Sequence, residues 1–276
     1  MYVFINDHLF SEKEALISVK DRGLLLGDGL FETLRTKQGR LLFFDEHYVR
    51  FQQSADFLGI PWCYSCEWLK AACQQVLEAN HLLQSSGALR VTLTRGQGSG
   101  RGIHFASAIS PTCIIMAEAY SPPTNYPRAC MTALKRNTAS PITHHKTLNY
   151  LECVLARQEA IQRGFDEGIL LNTQGYVAEC SVANLFFLHG DQVITPSVDS
   201  GILPGITRKR VIALCAQLGI TLVEKCVTVD EAVSASEAWQ TNSLIGLQPL
   251  SAINHKPFSV LQSSLTRKLV QAYEAL

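Results

Sequence analysis

The chain has 276 residues, enough for two domains or one large one, and with 47% hydrophobic and 17% charged residues it can bury a sizeable core and is not disordered. Its formal net charge is zero, which excludes a broad surface for nucleic acid or an anionic membrane, so an anionic substrate must be met by a few local cations. The opening Met1-Tyr2-Val3-Phe4-Ile5-Asn6-Asp7 lacks the basic region of a secretory signal, and no apolar run of about 18 residues predicts a membrane span.

In chain order, residues 2–5 and 9–10 flank Asn6-Asp7, a hairpin signal. Residues 30–37 and 41–44 flank Gln38-Gly39-Arg40, a second hairpin. Asp45 is suited to cap a helix outlined by Tyr48, Val49, Phe51, Phe57 and Leu58, which Gly59-Ile60-Pro61 stops. A second helix is predicted over 67–80, then strands over 89–94 and 113–117. The prolines of Ser121-Pro122-Pro123-Thr124-Asn125-Tyr126-Pro127 continue neither a helix nor a central strand. They place a linker at 121–128, between a small α+β domain over 1–120 and a larger one over 129–276 that carries Lys146. The second part reads as a strand at 129–134, a helix from Lys146 to about Gly164, short strands near 169–171, 185–188 and 193–195, a helix over 206–218, a strand near 222–226 and a helix over 264–276. Strict βαβ alternation is missing, so the fold class is α+β.

Lys146, in Thr143-His144-His145-Lys146-Thr147-Leu148-Asn149-Tyr150-Leu151, has no acidic residue within five positions on either side. A lysine is a nucleophile only when neutral, and apolar surroundings favour that form. Against this stands the ordinary reading of a solvated lysine at a helix start, although that end of the helix dipole disfavours a cation. Glu179, in Tyr176-Val177-Ala178-Glu179-Cys180, is either an edge-strand carboxylate facing water or a buried one that needs a cationic partner such as a protonated pyridine nitrogen. Gly201-Ile202-Leu203-Pro204-Gly205-Ile206-Thr207-Arg208 is a tight loop running into a helix, where free N–H groups and the Thr207 hydroxyl suit a phosphate. Arg50 and Ser243 are further phosphate donors. The loop Arg95-Gly96-Gln97-Gly98-Ser99-Gly100-Arg101-Gly102-Ile103-His104 matches neither a dinucleotide fingerprint nor a P-loop, and reads as a carrier of cations for a substrate carboxylate. The sequential pair His144-His145 reads as helix-start polarity and not as a metal site. The nine cysteines read as reduced thiols of a cytoplasmic protein, and the close pair Cys63 and Cys66 lacks a second pair to complete a zinc site.

Together these segments resemble the fold type IV pyridoxal-phosphate enzymes, which include branched-chain aminotransferases, D-amino-acid transaminases and aminodeoxychorismate lyases. The resemblance runs through Asp21-Arg22-Gly23, Gly27-Asp28-Gly29-Leu30-Phe31-Glu32-Thr33, His47-x-x-Arg50, the Lys146 segment, Glu179 with Ala183-Asn184-Leu185-Phe186, Thr195-Pro196, the Gly201–Arg208 loop and Gln248-Pro249-Leu250. It implies a two-domain α+β fold and a homodimer. It implies that Lys146 carries pyridoxal 5'-phosphate as a Schiff base and shuttles the proton, while Glu179 keeps the pyridine nitrogen protonated. Arg50, Ile206, Thr207 and Ser243 would hold the phosphate, and Tyr150 would lie near the phenolic oxygen. Arg101, with Phe31 and His104, would meet the substrate. The 95–102 loop resembles the R-G-x-G-x-R-G loop of the lyases with one residue extra, and Lys146-x-Leu148-Asn149-x-Leu151-Glu152 is also like theirs. The implied reaction is loss of pyruvate from 4-amino-4-deoxychorismate to give 4-aminobenzoate, a folate precursor. The alternative is an aminotransferase acting on branched-chain or D-amino acids.

Overall fold

The computed structural model describes residues 1–62, 64–98, 102–104 and 110–276. The chain forms two compact units: Met1–Pro122 with His145–Asn149, and Pro123–His144 with Tyr150–Leu276. Among the described residues no helix is long and apolar enough to cross a membrane.

In the first unit, β1 (Tyr2–Ile5) and β2 (His8–Ser11) form a hairpin, and Asn6 takes the left-handed conformation that its turn requires. There follow α1 (Arg22–Leu26), β3 (Gly29–Lys37), β4 (Arg40–Leu41), α2 (Phe44–Leu58), α3 (Cys66–Ala79), β5 (Ser86–Thr94) and β6 (Thr112–Ala119). The strands make one antiparallel sheet in the order β2-β1-β6-β5-β3-β4. Phe4, Leu30, Leu34, Leu89, Val91 and Ile115 from the sheet share a core with Phe51, Ala55, Leu69, Cys73, Val76 and Leu77 of α2 and α3. Every second strand residue is buried, as a sheet covered on one face demands.

The second unit contains β7 (Arg128–Arg136), α4 (Leu151–Gln162), β8 (Glu167–Asn172), β9 (Val177–Cys180), β10 (Asn184–His189), β11 (Gln192–Pro196) and α5 (Ile206–Gln217). It continues with β12 (Thr221–Lys225), α6 (Val229–Ser234), β13 (Glu237–Asn242), β14 (Gly246–Pro249), β15 (Ala252–Ile253), β16 (Lys256–Pro257) and α7 (Ser264–Glu274). Two five-stranded sheets result, β12-β11-β10-β13-β14 and β16-β15-β7-β8-β9. The run Leu185-Phe186-Phe187-Leu188 in β10 explains itself here. Leu185 and Phe187 join a core with Ala129, Ile169 and Ile253 of the other sheet, whereas Phe186 and Leu188 pack with Val211 and Leu214 of α5 and Leu269 of α7. A strand covered on both faces has no polar side to show.

The α+β expectation holds, and three local ones do not. Lys146 is not on a helix: α4 starts at Leu151, and residues 146–148 are extended, with Thr147 bridged to Leu30. For the same reason Lys146 packs with the first unit and not, as expected, with the second. Asp45 is not the cap of α2. Phe43, in the left-handed conformation, occupies that position without a side-chain bond, and Asp45 sits in the first turn, where its charge suits the helix dipole. The pair β13–β14 had no signal in the sequence, because Gly246 and Pro249 look like breakers, yet the two strands pair over Trp239↔Pro249 to Asn242↔Gly246.

Phe186 is fully buried and stacks on Trp239 at a centroid distance of 6.0 Å. Phe186→Ala is expected to cost about 3–5 kcal/mol by urea denaturation, with the slope unchanged; a loss below about 1 kcal/mol would contradict this packing.

Candidate active site

The first unit builds the surroundings of Lys146 from an unfilled sheet edge. β4 pairs with β3 only at Thr36 and Lys37, so the edge of β3 near Gly29 to Phe31 is open to another partner. Residues 146–148 fill it: the Phe31 N–H donates to the Lys146 carbonyl at 2.9 Å, and the Leu148 N–H to the Gly29 carbonyl at 2.9 Å. Gly29 is needed for this approach, since a Cβ there would stand 2.5 Å from the Leu93 carbonyl oxygen and 2.8 Å from Leu148 Cδ1. On the other side of the lysine the His145 ring stacks on Phe57 at 4.0 Å, and its Nδ1 lies 3.0 Å from Ser54 Oγ on α2. Of the histidine pair, read as helix-start polarity, His145 is thus part of the anchor.

Lys146 is half-buried, and its Nζ lies 4.2 Å from the centre of the Phe31 ring. The Arg90 guanidinium lies 3.7 Å from the same centre. The π face of the Phe31 ring accommodates cationic groups. The sequence reading passed over Arg90; its signal was a charge in the otherwise apolar alternation of Ala88-Leu89-Arg90-Val91.

Arg50 is clamped by a carboxylate that the sequence reading did not single out. Glu32 accepts from Arg50 Nε and Nη2, each at 2.7 Å, and from His47 Nδ1 at 2.6 Å. Burial disfavours the Glu32 charge, but Arg50 and the His47 hydrogen bond outweigh it and hold the carboxyl at about 2. Burial pushes His47 down, against the pull of Glu32, so a neutral ring donates through Nδ1–H. The two-point clamp fixes the plane of the Arg50 guanidinium.

Of the glycine-rich loop, Arg101 lies outside the described residues, as does Cys63. His104 is exposed. The Gly102 and Ile103 carbonyls accept from Arg22 at 3.4 and 2.9 Å, and Arg22 shares Asp28 with Arg95, each Nε at 2.8 Å. Arg95, the first of the loop's two arginines, is buried and also donates to the Leu58 and Gly59 carbonyls. Its role is to tie the loop base to the end of α2.

In the second unit Glu179 is buried, 7% exposed, which decides against the solvent-facing alternative. Its Oε1 lies 2.9 Å from Arg136 Nη2, and its Oε2 accepts from the Leu203 N–H at 3.1 Å and Asn184 Nδ2 at 3.2 Å. Burial works against the Arg136 charge, but Glu179, with Cys153, Glu152 and Tyr150, raises its pKa. Tyr150 stands at the N-cap position of α4. Ser243 lies in the β13–β14 turn, shaped by Asn242 Oδ1, which accepts from the Leu244 and Ile245 N–H groups at 2.9 Å.

The start of α5 suits a phosphate. Gly205 caps this 12-residue helix without a side-chain bond, and Thr207 Oγ1 is buried with no hydrogen-bond partner. An orphaned hydroxyl beside the N–H groups of a helix start is costly unless an anion meets it. A buried carboxylate, an uncapped helix start and a lysine on a sheet edge are, each by itself, groups of the chemical kind that suits the ring nitrogen, the phosphate and the aldehyde of pyridoxal 5'-phosphate. Among the described residues no His, Cys, Asp and Glu group could hold a metal.

Residues 29–253 match the family model described as amino-transferase class IV, and the chain belongs to that family of pyridoxal-phosphate enzymes. It is 27% identical over 274 residues to the aminodeoxychorismate lyase of Bacillus subtilis, covering 99% of this chain and 93% of that one. It is 30% identical over 285 residues to the branched-chain-amino-acid aminotransferase of Pseudomonas aeruginosa, covering 98% and 91%. Its fold superimposes with a TM-score of 0.90 on the crystal structure of the branched-chain aminotransferase from Thermoproteus uzoniensis with norvaline, at 28% identity over 99% and 93% of the chains.

The depressed Glu32 carboxyl sets an acid limit. Its stabilising contribution is complete above its ordinary value of 4.5 and is lost as pH falls through about 2. Urea denaturation across this window should show the wild type losing about 3 kcal/mol more than Glu32→Gln, which should be the less stable of the two at pH 7. Equal losses would show that the carboxyl is not held down by Arg50.

Proposed function

We propose that the protein is a 4-amino-4-deoxychorismate lyase that releases pyruvate and forms 4-aminobenzoate for folate synthesis. The arginine–glycine pattern of residues 95–102 carries this reading, and the Arg90 guanidinium, on the Phe31 ring that Lys146 also approaches, is a further cation suited to a substrate carboxylate. Pyridoxal 5'-phosphate, when bound, supplies an electron sink. Lys146, Arg50, Glu179, Ile206, Thr207, Ser243 and Tyr150 are the residues proposed to hold it. Glu179, paired with Arg136, would hold a proton on the pyridine nitrogen. Lys146 Nζ would take the proton from the substrate carbon that bears nitrogen. The ether C–O bond then breaks, the enolpyruvate leaves and takes up a proton to become pyruvate, and the ring aromatises.

The substrate carries two carboxylates, and Arg90 and Arg101 are the cations proposed to receive them, with Phe31 and His104 beside them. The arginine–glycine pattern of residues 95–102 and the similarity to the Bacillus subtilis lyase support this choice. The similarity to the Pseudomonas aeruginosa enzyme supports the second reading, an aminotransferase acting on branched-chain or D-amino acids. Lys146 and Glu179 serve both outcomes, which differ in whether a leaving group departs or the proton is returned.

The reading carries with it a cytoplasmic homodimer. The eight described cysteines are all free thiols, and Leu16 (82%), Val19 (77%), Leu24 (69%) and Leu25 (61%) expose an apolar face suited to a second copy. Purified protein given aminodeoxychorismate should release pyruvate, and Lys146→Ala should lower the rate by at least about 1,000-fold. Keto-acid-dependent turnover of leucine or D-alanine without pyruvate release would replace the lyase by the transaminase.

A further inference from the structure

Asn184 is buried at the start of β10, where its backbone pairs opposite Thr241. Its amide nitrogen spends both hydrogens within one small circuit, one to Glu179 Oε2 at 3.2 Å and one to the Leu203 carbonyl at 2.9 Å. The Leu203 N–H closes the circuit by donating to the same Glu179 oxygen at 3.1 Å. The other end of the amide faces Gly205: a Cβ there would stand 2.1 Å from Asn184 Oδ1. Gly205 has an ordinary extended backbone (φ −67°, ψ 138°), so the glycine is required for room beside Asn184 and not for an unusual conformation. Gly205 is also the residue from which α5 starts, directly before Ile206 and Thr207. One neutral side chain therefore touches the carboxylate assigned to the pyridine nitrogen, the loop that follows it, and the helix start assigned to the phosphate.

We infer that Asn184 is a positioning residue that fixes the distance between Glu179 and the start of α5, so that the ring nitrogen and the phosphate of one cofactor are recognised together. The inference rests on the cofactor assignment above. Only an amide fits the position. It has two donors for a carboxylate and a carbonyl, where aspartate has none and would set a second negative charge against Glu179. Because it is neutral, it leaves the counter-charge to Arg136. Two subsites held at a fixed spacing act as a chelate: a ligand bound at one is presented at high effective concentration to the other. Loosening the spacing penalises a ligand that must reach both, and largely spares one that uses a single subsite.

The test compares pyridoxal 5'-phosphate with pyridoxal, which lacks the phosphate, by titration of the cofactor-free full chain. Asn184→Ala is expected to weaken the phosphorylated ligand by about tenfold or more and pyridoxal by about threefold or less. General loosening of the fold would weaken both alike, so equal factors, or no change in either, would overturn the role of Asn184. If Asn184→Ala does not fold, Asn184→Ser, which keeps one donor, is read by the same ratio. Failure of the wild type itself to bind pyridoxal 5'-phosphate would remove the cofactor assignment and this inference with it. Wild-type binding with an unchanged ratio in the variant removes the inference alone.

Discussion

The two hydrogen bonds from Phe31 N–H to the Lys146 carbonyl and from Leu148 N–H to the Gly29 carbonyl are what the reactive end of the first unit depends on. An open strand edge carries backbone groups that must find partners. β4 is two residues long and leaves the early part of β3 open, and residues 146–148 take the place beside it. The lysine side chain then lies against the Phe31 ring, on the strand that also supplies Glu32 to clamp Arg50. The alternation of β3 serves both: Phe31 and Glu32 point to opposite faces, one to Lys146 and the other to Arg50 and His47.

Three carboxylates of the two units are met by arginine in the same way. Asp28 is met by Arg22 and Arg95, Glu32 by Arg50, and Glu179 by Arg136, each within 2.9 Å. Removing such carboxylates from water is expensive, and planar guanidinium groups repay it with directed hydrogen bonds. The three pairs do different work. Arg22, Asp28 and Arg95 form a tie that fixes the base of the 95–104 loop to α1 and α2. The Glu32 clamp sets the orientation of the Arg50 guanidinium. Arg136 pairs with Glu179, and Asn184 bonds the same carboxylate to the Leu203 carbonyl in the loop before α5.

Much of the fold was legible because hydrophobic period and turn chemistry are local. The Asn6-Asp7 hairpin, the stop of α2 at Gly59 and the strands β5, β6 and β10 all follow from residues within a few positions of one another. The failures share a cause. Thr147-Leu148-Asn149-Tyr150 reads as the approach to a helix, and locally it is one, but a strand more than a hundred positions away claims its backbone first. Asp45 is a good cap by type, yet the chain turns through the left-handed conformation of Phe43 before reaching it. The structural role of Arg95 had no local sign, because its partners Asp28, Leu58 and Gly59 are distant in sequence.

The sequence by itself determined the identity and order of the chemical groups: a lysine without local acids, Glu179, the Gly205-Ile206-Thr207 loop running into a helix, and with them the pyridoxal-phosphate family. The tertiary structure alone decided that Lys146 stands on a sheet edge and not on a helix, that it packs with the first unit, that Glu179 is buried against Arg136, and that Asn184 joins that carboxylate to the loop before α5. The physical reason is that composition and spacing specify which groups are present, while burial and pairing depend on backbone hydrogen bonds between segments far apart in the chain.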